Sequence, residues 1–586
     1  MTQELQTPKT QIIEKSQTAK EKIEKPTVKI IPLGGLDEVG RNMTVFEYHD
    51  PALNIKDIII VDIGLQFPEE DMPGIDYIIP DISYLKDNDL LKHIKGVIIT
   101  HGHYDHIGGI PHLMGQLGNP AIYTAPLTRG IILKKQADFK DQQKPNIILI
   151  GKDDKIKLGA FDVEFFRVNH NIPDGLGIVI KTAIGTIVHS GDFKFDHSPI
   201  GDEPADISRI AQIGSQKILA LLSDSTNAEN PGYSISEKTI QDNLEIIFKD
   251  SPGRIILATF ASLLSRVQEV INLAEKYDRK VAIDGYSMRL NVEAAKELGY
   301  IKAQKSIFIN ASQIDSYPPN KIIVVCTGAQ GEGNAVLMRI ASREHRYVQV
   351  RKGDTVIFSS SVVPGNERSV QGLKDLLCQQ GAKIYHSQMM DIHASGHAQQ
   401  EDLKMMINLI NPKFFIPIHG SFYMRKAHAE LAEAVKIPSE NIVMAQNGNI
   451  INIEENKIWM DKKKVPTNYI MVDGLGIGDV GQVVLRDRQA MARDGMFVII
   501  IAIDKQTGEI KTSPDIISRG FIYMRESQEL LKQVRQRTRL IVKQTIGQQI
   551  PINWTDVKDN LRDKIGQFLY TKTQRRPMVL PVIIGV

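Results

Sequence analysis

Thr100-His101-Gly102-His103-Tyr104-Asp105-His106 follows an apolar run, Val97-Ile98-Ile99, that reads as a buried strand. It precedes Ile107-Gly108-Gly109-Ile110-Pro111, which reads as a turn opening a helix. His101 and His103 are two apart, so on an extended segment they point the same way. Asp105 and His106 come as the chain turns and face a second point beside the first. Imidazole nitrogens with a carboxylate oxygen suit zinc. A lone His-x-His is usually packing or surface. Three His and one Asp within so short a stretch at a strand's end make a metal centre the stronger reading.

Further strands are expected at Val28–Pro32, Ile58–Val61, Ile147–Ile150, Val163–Val168, Ile178–Lys181 and Thr186–His189. Val163–Val168 runs into Asn169-His170, and Thr186–His189 into Ser190-Gly191-Asp192. Much later Lys413–Ile418 runs into His419-Gly420. His170, Asp192 and His419 therefore follow the same kind of strand end as the cluster, where rigid scaffolds display chemistry. Singly each is ambiguous; together they complete a two-metal set. His101, His103 and His170 are assigned to one metal, and Asp105, His106 and His419 to the other. Asp192 is the bridge, because a carboxylate has two oxygens and an imidazole one free lone pair. Asp62, in Val61-Asp62-Ile63-Gly64, is read as orienting ligands by hydrogen bonds. Metals held about 3.5–4 Å apart stabilise both oxygens of a phosphoryl displacement.

Between Asp192 and His419 the rhythm changes. Strands are expected at Arg254–Thr259, Lys280–Asp284, Lys321–Thr327 and Asp354–Ser359, with helices near Ser262–Tyr277 and Asn334–Ser342. That alternation predicts a parallel α/β domain. It separates ligands that must meet in space, so it reads as an insertion. Gly328, Gly331 and Gly333 form a loop after a strand, but no Gly-Lys-Ser/Thr follows, which argues against a nucleoside-triphosphate loop. Ser359-Ser360-Ser361 and Pro364-Gly365-Asn366 precede a helix and fit a phosphate site or a plain capped turn equally well. After His419 a helix is expected near Met424–Val435. A Gly-rich stretch, Val465–Asp487, reads as a linker. A last domain follows, with strand Met496–Asp504, helices near Glu526–Lys543 and Asp556–Thr571, and strand Met578–Ile584. Lys532, Arg535, Arg537, Arg539 and Lys543 crowd one of its helices, which reads first as a solvated face.

A phosphodiester's leaving oxygen needs a proton, and a histidine outside the metal shell is the usual supplier. Asp391-Ile392-His393-Ala394-Ser395-Gly396-His397 offers two. Asp224, ending the apolar run in Leu222-Ser223-Asp224-Ser225-Thr226, is placed to pair with one of them. A buried, satisfied His–Asp pair is the plain alternative.

The bulk numbers are ordinary. The chain has 586 residues, 42% hydrophobic and 24% charged, with net charge +2. The length predicts about three or four domains. Any basic surface for nucleic acid must be local. The two cysteines, Cys326 and Cys378, lie in no metal-like spacing, which excludes cysteine-ligated zinc and fits a reducing compartment. No apolar run reaches roughly eighteen residues, so no membrane span is expected. Residues 1–27 hold no apolar core of a secretory signal and read as a loose polar tail.

The set His101, His103, Asp105, His106, His170, Asp192 and His419 resembles the metallo-β-lactamase superfamily. Asp224 and His397, flanking an inserted α/β domain, resemble its β-CASP nucleic-acid branch. More closely, the chain is similar to the ribonuclease J family. The matching stretches include Leu33-Gly34-Gly35 with Glu38-Val39-Gly40, Phe67-Pro68-Glu69, Gly191–Asp196, Leu222–Asn227, Ala258–Ser262, His393–His397, Pro417–Gly420, Ile517–Phe521 and Arg575-Arg576-Pro577.

This resemblance implies an α/β protein: an αββα sandwich with an inserted β-CASP domain and a small α/β C-terminal domain. Its expected bounds are a tail at 1–27, the sandwich at 28–230 and 401–464, the insertion at 231–400, a linker at 465–486 and the last domain at 487–586. It implies a cytoplasmic ribonuclease with 5′-to-3′ exonuclease and endonuclease activity on single-stranded RNA, acting in RNA maturation and decay. Two zinc ions are implied, and in some relatives a calcium ion near the Asp473 position. His397 would serve near the leaving group, with Asp224 beside it and Asp105 and Asp192 in the catalytic centre. Ser262 and the loop His393, Ala394, Ser395, Gly396 and His397 would bind nucleotide and phosphate. A pocket of Ser395, Gly396 and His393 suits a 5′-monophosphate end and should exclude a triphosphate. Implied partners are a second or fourth copy of the chain and an RNA helicase or other RNA-decay proteins. Tyr104 stands where relatives often have Glu, and the tail is longer than in many. The rival readings are a DNA nuclease or small-ester hydrolase of the same fold, and a non-catalytic subunit of an RNA-decay complex. The inserted domain speaks against a small-molecule hydrolase, and the full ligand set speaks against a degenerate subunit.

Overall fold

The computed structural model describes residues 25–69, 71–139, 143–363, 365–474, 476–547 and 552–586. The tail expected at 1–27 lies outside the described residues up to position 24, and Thr27 already begins a strand.

Two sheets face each other. The first has eight strands in the order Lys457–Lys464, Asn449–Glu454, Thr27–Gly34, Met43–Asp50, Ile55–Val61, Ile94–Ile98, Ile122–Thr124, Ile147–Leu149. The second has six, in the order Phe414–Ile418, Ile218–Asp224, Gly185–His189, Leu176–Thr182, Phe161–Arg167, Lys155–Leu158. Alternate residues of each strand point to opposite faces. Val28, Ile30, Ile59 and Val61 meet Val163, Phe165, Ile178 and Ile180 between the sheets. Ile31, Leu33, Ile58 and Ile60 face the other way, onto Leu113, Leu127 and Ile131 of the covering helices. Phe166, Val179 and Leu221 pack under Ile210, Leu403 and Met406 of the helices Ile207–Gly214 and Gln400–Ile410. Strands covered on both faces need apolar residues at every position. This is why Ile58-Ile59-Ile60-Val61 reads as an unbroken run. Burying each such side chain is worth roughly 1.5–3 kcal/mol, which fixes the strand ends where the polar residues begin.

The insertion leaves and re-enters the second sheet between hydrogen-bonded neighbours. Ile218–Asp224 pairs in parallel with Phe414–Ile418, with Asp224 opposite Ile418. What lies between is built on six parallel strands in the order Phe308–Ile309, Lys280–Asp284, Ile322–Cys326, Ile255–Ala258, Thr355–Phe358, Lys383–His386. Residues that enter and leave at adjacent strand ends bring Asp224 and His419 to one spot however large the insertion is.

The stretch expected as a linker is folded. Ile470–Asp473 pairs with Gly476–Ile477 and with Tyr77–Ile79, and a helix, Gln482–Asp494, runs across the expected boundary at 487. The glycines suggested looseness, but Ile78, Met471, Val480 and Leu485 form a small buried core there. The C-terminal sheet has the order Asp515–Arg519, Met496–Ile503, Met578–Gly585, and packs one face on the helices Gln528–Ile546 and Trp554–Thr573. Cys326 is buried, Cys378 exposed, and both are free.

Candidate metal centre

His101, His103, Asp105 and His106 sit where the strand Ile94–Ile98 gives way to the short helix Tyr104–Ile107, with His103 extended at the helix's N-cap. Asp62 holds this turn from below. Its carboxylate accepts from the Thr100 amide (2.8 Å), from Thr100 Oγ1 (2.9 Å) and from His106 Nδ1 (2.8 Å). Asp62 does so from the left-handed region (φ 63°), which Asp tolerates better than most residues. Gly64, two residues on, packs so closely that a Cβ there would lie 1.6 Å from the Asp105 carbonyl oxygen.

Two groups of potential ligand atoms converge. His103 Nδ1 lies 3.1 Å from His101 Nε2 and 3.0 Å from His170 Nε2. His106 Nε2 lies 3.1 Å from Asp192 Oδ2 and 3.3 Å from Asp105 Oδ2, which is itself 3.3 Å from His419 Nε2. The same Asp192 oxygen lies 3.8 Å from His101 Nε2 and 3.9 Å from His170 Nε2, so it faces both groups. A third group joins Asp192, His419, Asp224 and His397.

The outer ring atoms fix the histidines' tautomers. His106 Nδ1 donates to Asp62, His170 Nδ1 to the Gly396 carbonyl (2.7 Å), His419 Nδ1 to Thr226 Oγ1 (2.8 Å), and His101 Nδ1 to Thr100 Oγ1 (3.0 Å). Thr100 and Thr226 in turn donate to Asp62 and Asp224. In each ring the Nε2 lone pair is thereby turned to the centre. Lone pairs aimed at one another at 3.0–3.1 Å cannot all be hydrogen bonds. A tetrahedral ion with bonds of about 2.1 Å would space its ligand atoms about 3.4 Å apart. The residues present therefore fit divalent cations.

Charge divides the two groups. Burial, reinforced by neighbouring imidazoles, holds His101 and His170 well below the usual histidine range, and burial takes His103 down to about 4. These three are neutral donors. Burial opposes protonation of His419 too, but the charge of Asp192 and its bonds to Asp105 and Asp224 lift it to about 10, and His106 is raised likewise. Burial works against the ionised form of Asp105 and Asp192, yet the histidines around them hold both well below the carboxylate range. The acidic half of the site thus calls for positive charge.

Beside the centre, His397 Nδ1 lies 2.7 Å from Asp224 Oδ2. The His397 ring is stacked at 5.6 Å on His419 and lies 4.9 Å from the His170 ring. Asp224 accepts from the Thr226 amide and hydroxyl with its other oxygen. Burial disfavours charge on His397, but Asp224 outweighs it and raises the imidazole above its ordinary value.

Several sequence expectations come together here and others do not. All seven proposed ligands and the Asp224–His397 pair meet at one centre. His393 does not share the proton-donor position. It lies against Phe260, and burial with the Arg266 guanidinium beside it drives its pKa down to about 3. The Gly396 carbonyl accepts from His170 Nδ1, and a Cβ there would lie 2.6 Å from His170 Cε1. Ser395 Oγ accepts from Asn227 Nδ2 (2.7 Å). Ser359 Oγ donates to the Ile392 carbonyl and Ser360 Oγ accepts from Gln330, so the serine run braces loops. Asp473, the expected calcium position, ion-pairs with Arg488 through one carboxylate oxygen.

The sequence reading missed four supporting groups. Asn42 Nδ2 reaches His106 Nε2 (3.2 Å), Thr226 anchors His419, and Asn227 donates to the His397 carbonyl (3.0 Å). Arg266, fully buried, donates to the Ile392 carbonyl (2.6 Å) and to Glu237 (2.7 Å), which also accepts from Lys194 (3.0 Å). Thr226 and Asn227 lie inside a matching stretch; Arg266, in the first turn of the helix Leu264–Lys276, carries no clear signal in the sequence.

Sandwich, inserted parallel domain and shared-carboxylate centre define a metal-dependent hydrolase of the metallo-β-lactamase fold with a β-CASP insertion. Family models agree: a beta-lactamase superfamily domain matches residues 73–210, the ribonuclease J beta-CASP domain 252–377, a Zn-dependent metallo-hydrolase RNA specificity domain 381–444, and the ribonuclease J C-terminal domain 483–586. The chain is 39% identical to "Ribonuclease J2" of Bacillus subtilis (strain 168), over 95% of this chain and 99% of that protein. It is 41% identical to "Ribonuclease J 1" of Streptococcus pyogenes serotype M3, over 95% and 97%. A crystal structure of a protein of unknown function from Enterococcus faecalis V583 superposes with TM-score 0.51 at 18% identity, covering 73% of this chain and 100% of that one, a likeness of fold alone. The chain belongs to the ribonuclease J family and is a metal-dependent ribonuclease.

Proposed function

We propose that the chain hydrolyses single-stranded RNA with two zinc ions, both from a 5′ end and internally, in cytoplasmic RNA maturation and decay. The observation that carries this reading is the single Asp192 oxygen facing both ligand groups, with the Asp224–His397 pair alongside. His101, His103 and His170 would hold one ion, and Asp105, His106 and His419 the other, with Asp192 between. Bound there, the ions supply Lewis acidity at the phosphoryl oxygens and a water ionised near neutral pH. His397, kept protonated and oriented by Asp224, gives its proton to the leaving oxygen. Ser395 and the neutral His393 line the approach as hydrogen-bond donors for a terminal monophosphate, and Ser262 lies on the loop after the strand Ile255–Ala258. Among the described residues no helix is long and apolar enough to cross a membrane. Assembly through further copies of the chain and association with a helicase or other RNA-decay proteins belong to the same reading.

The test is metal content by mass spectrometry, with matched RNA and DNA strands labelled at the 5′ end and internally. Asp192→Ala should leave the fold intact, lower zinc content and abolish cleavage. Wild-type-like turnover by this variant would overturn the ligand assignment, and equal cleavage of DNA would overturn the restriction to RNA.

A further inference from the structure

The inserted domain has a second concave site outside the metal centre. The strand Lys280–Asp284 and the edge strand Phe308–Ile309 run parallel, so Asp284 and the turn Asn310–Ser312 lie at the same, C-terminal end of the sheet. In parallel α/β sheets ligands bind in crevices at that end. Here a cavity of about 410 Å³ opens, lined also by Arg289, Arg339, His345, Arg346 and Tyr347. Its volume is in the range of small-molecule sites.

The charges in this cavity do not cancel. Asp284 Oδ1 accepts from Arg289 Nη1 (2.9 Å) and Oδ2 from His345 Nε2 (2.9 Å). His345 Nδ1 accepts from the amides of Tyr347 (3.3 Å) and Val348 (3.0 Å). His345 Nδ1 is thus an acceptor and Nε2 faces Asp284. Among the described residues Arg289 is the one arginine paired with Asp284. Arg339 and Arg346 have no carboxylate within 4 Å among the described residues, and Arg339 Nε is buried without a hydrogen-bond partner. An unsatisfied buried donor on a cation is costly, by roughly 1–3 kcal/mol or more. A fork of guanidinium donors matches the oxygens of a phosphate. The Arg346 guanidinium lies 5.1 Å over the Tyr347 ring, forming a flat, half-exposed edge of the kind on which nucleobases stack. Ser312 adds a hydroxyl at the rim.

We propose that this cavity is a nucleotide-phosphate site, in which Arg339 and Arg346 hold a phosphate group and Tyr347 receives the base. The ligand is a free nucleoside monophosphate or a nucleotide of an RNA chain; the phosphate chemistry is the same. The choice of a nucleotide rests on the ribonuclease reading, but the test measures binding, so its failure leaves the metal-centre assignment standing.

The zinc-loaded protein is titrated with adenosine 5′-monophosphate and with adenosine by calorimetry, and with a fluorescent 30-nucleotide RNA in a salt series. Wild type is compared with Arg339→Gln/Arg346→Gln and with Arg346→Glu, an exposed position where folding is not at stake. The variants should lose one monophosphate site, or bind it at least about tenfold more weakly, with adenosine weak throughout and hydrolysis at saturating RNA unchanged. If the source is the chain, RNA affinity and the slope of log affinity against log salt should also fall, the slope by about one to two. Loss of the nucleotide with RNA binding intact assigns the site to the free monophosphate. Unchanged binding of both ligands in Arg346→Glu overturns the proposal.

Discussion

Removing the His397 imidazole tests the chemistry most directly. Asp224 is 1% exposed and its Oδ2 has its short bond only to His397 (2.7 Å). Deleting one partner of a buried pair costs roughly 3–5 kcal/mol. The cost here should fall at the low end, because Asp224 Oδ1 keeps the Thr226 amide and hydroxyl (2.9 and 2.8 Å) and His419 stands 3.4 Å away. His397→Ala therefore confounds stability with catalysis. His397→Asn does not, since an Asn amide places an N–H where Nδ1 was and keeps the bond to Asp224 but holds no transferable proton. Both variants should lower the single-turnover rate by roughly 10²–10⁴, the contribution of a positioned acid, while only His397→Ala should lower the unfolding temperature substantially. Zinc content should be unchanged in both. The raised pKa adds a sign: His397 must be protonated to act, so the rate falls as pH rises through its pKa, and Asp224→Asn should move that falling limb to lower pH. A near-wild-type rate in His397→Asn would refute the acid role. Loss of zinc in His397→Ala would make His397 a ligand of the group it forms with Asp192, Asp224 and His419.

Gly396→Ala should push the His170 ring from its place, given the 2.6 Å approach of a Cβ, and lower zinc content and activity by at least tenfold; metal analysis beside a time course checks it. RNA with a 5′-monophosphate should be degraded from its end while the 5′-triphosphate form resists, and Ser395→Ala and His393→Ala should blur that preference more than they slow internal cleavage; equal mononucleotide release from both ends by wild type would dismiss the pocket. Burial, with Lys135 nearby, holds His112 at about 4 in the folded chain against about 6.5 in the unfolded one. Between those values the unfolded chain binds more protons, so stability falls as pH drops, by somewhat less than ~1.4 kcal/mol per pH unit because solvent still partly reaches the ring. Denaturant unfolding at pH 6.5, 5.5 and 4.5 should show a shallower fall in His112→Asn.

The centre was legible because its ligands share one placement rule. Each stands where an apolar strand ends, and a two-sided sheet makes such strands conspicuous as unbroken runs. Ile94–Ile98 and Phe414–Ile418 signal themselves this way, Phe161–Arg167 and Gly185–His189 less cleanly, and a ligand stands within the first three residues beyond each strand. What stayed hidden has no such marker. The Val465–Asp487 stretch gains its order from Tyr77–Ile79, hundreds of residues earlier, a long-range pairing that local glycine content cannot reveal. His393 and His397 are chemically alike in sequence and differ only in what surrounds them: Asp224 beside one, Arg266 and Phe260 beside the other.

The loop Asp391–His397 has a double role that follows from its atoms. Its Gly396 carbonyl fixes the tautomer of His170, which belongs to the sandwich. One residue later His397 meets Asp224, at the end of a sandwich strand. The loop's other end is held by the inserted domain, through Arg266 on the Ile392 carbonyl and Arg266 on Glu237. Lys194, two residues past Asp192, donates to that same Glu237. A closed circuit of hydrogen bonds thus runs from the bridging carboxylate's segment, through the inserted domain, and back to a histidine ligand. Arg266, Glu237 and Lys194 are buried, so breaking a link weakens the pairing of an interior charge, although the Ile392 carbonyl keeps Ser359 and Glu237 keeps a second cation. The position of the inserted domain and the geometry of the ligand set are therefore not independent variables: a shift of one strains the other. That coupling gives a physical reason for an insertion placed between two adjacent strands of the metal-bearing sheet rather than appended at an end of the chain.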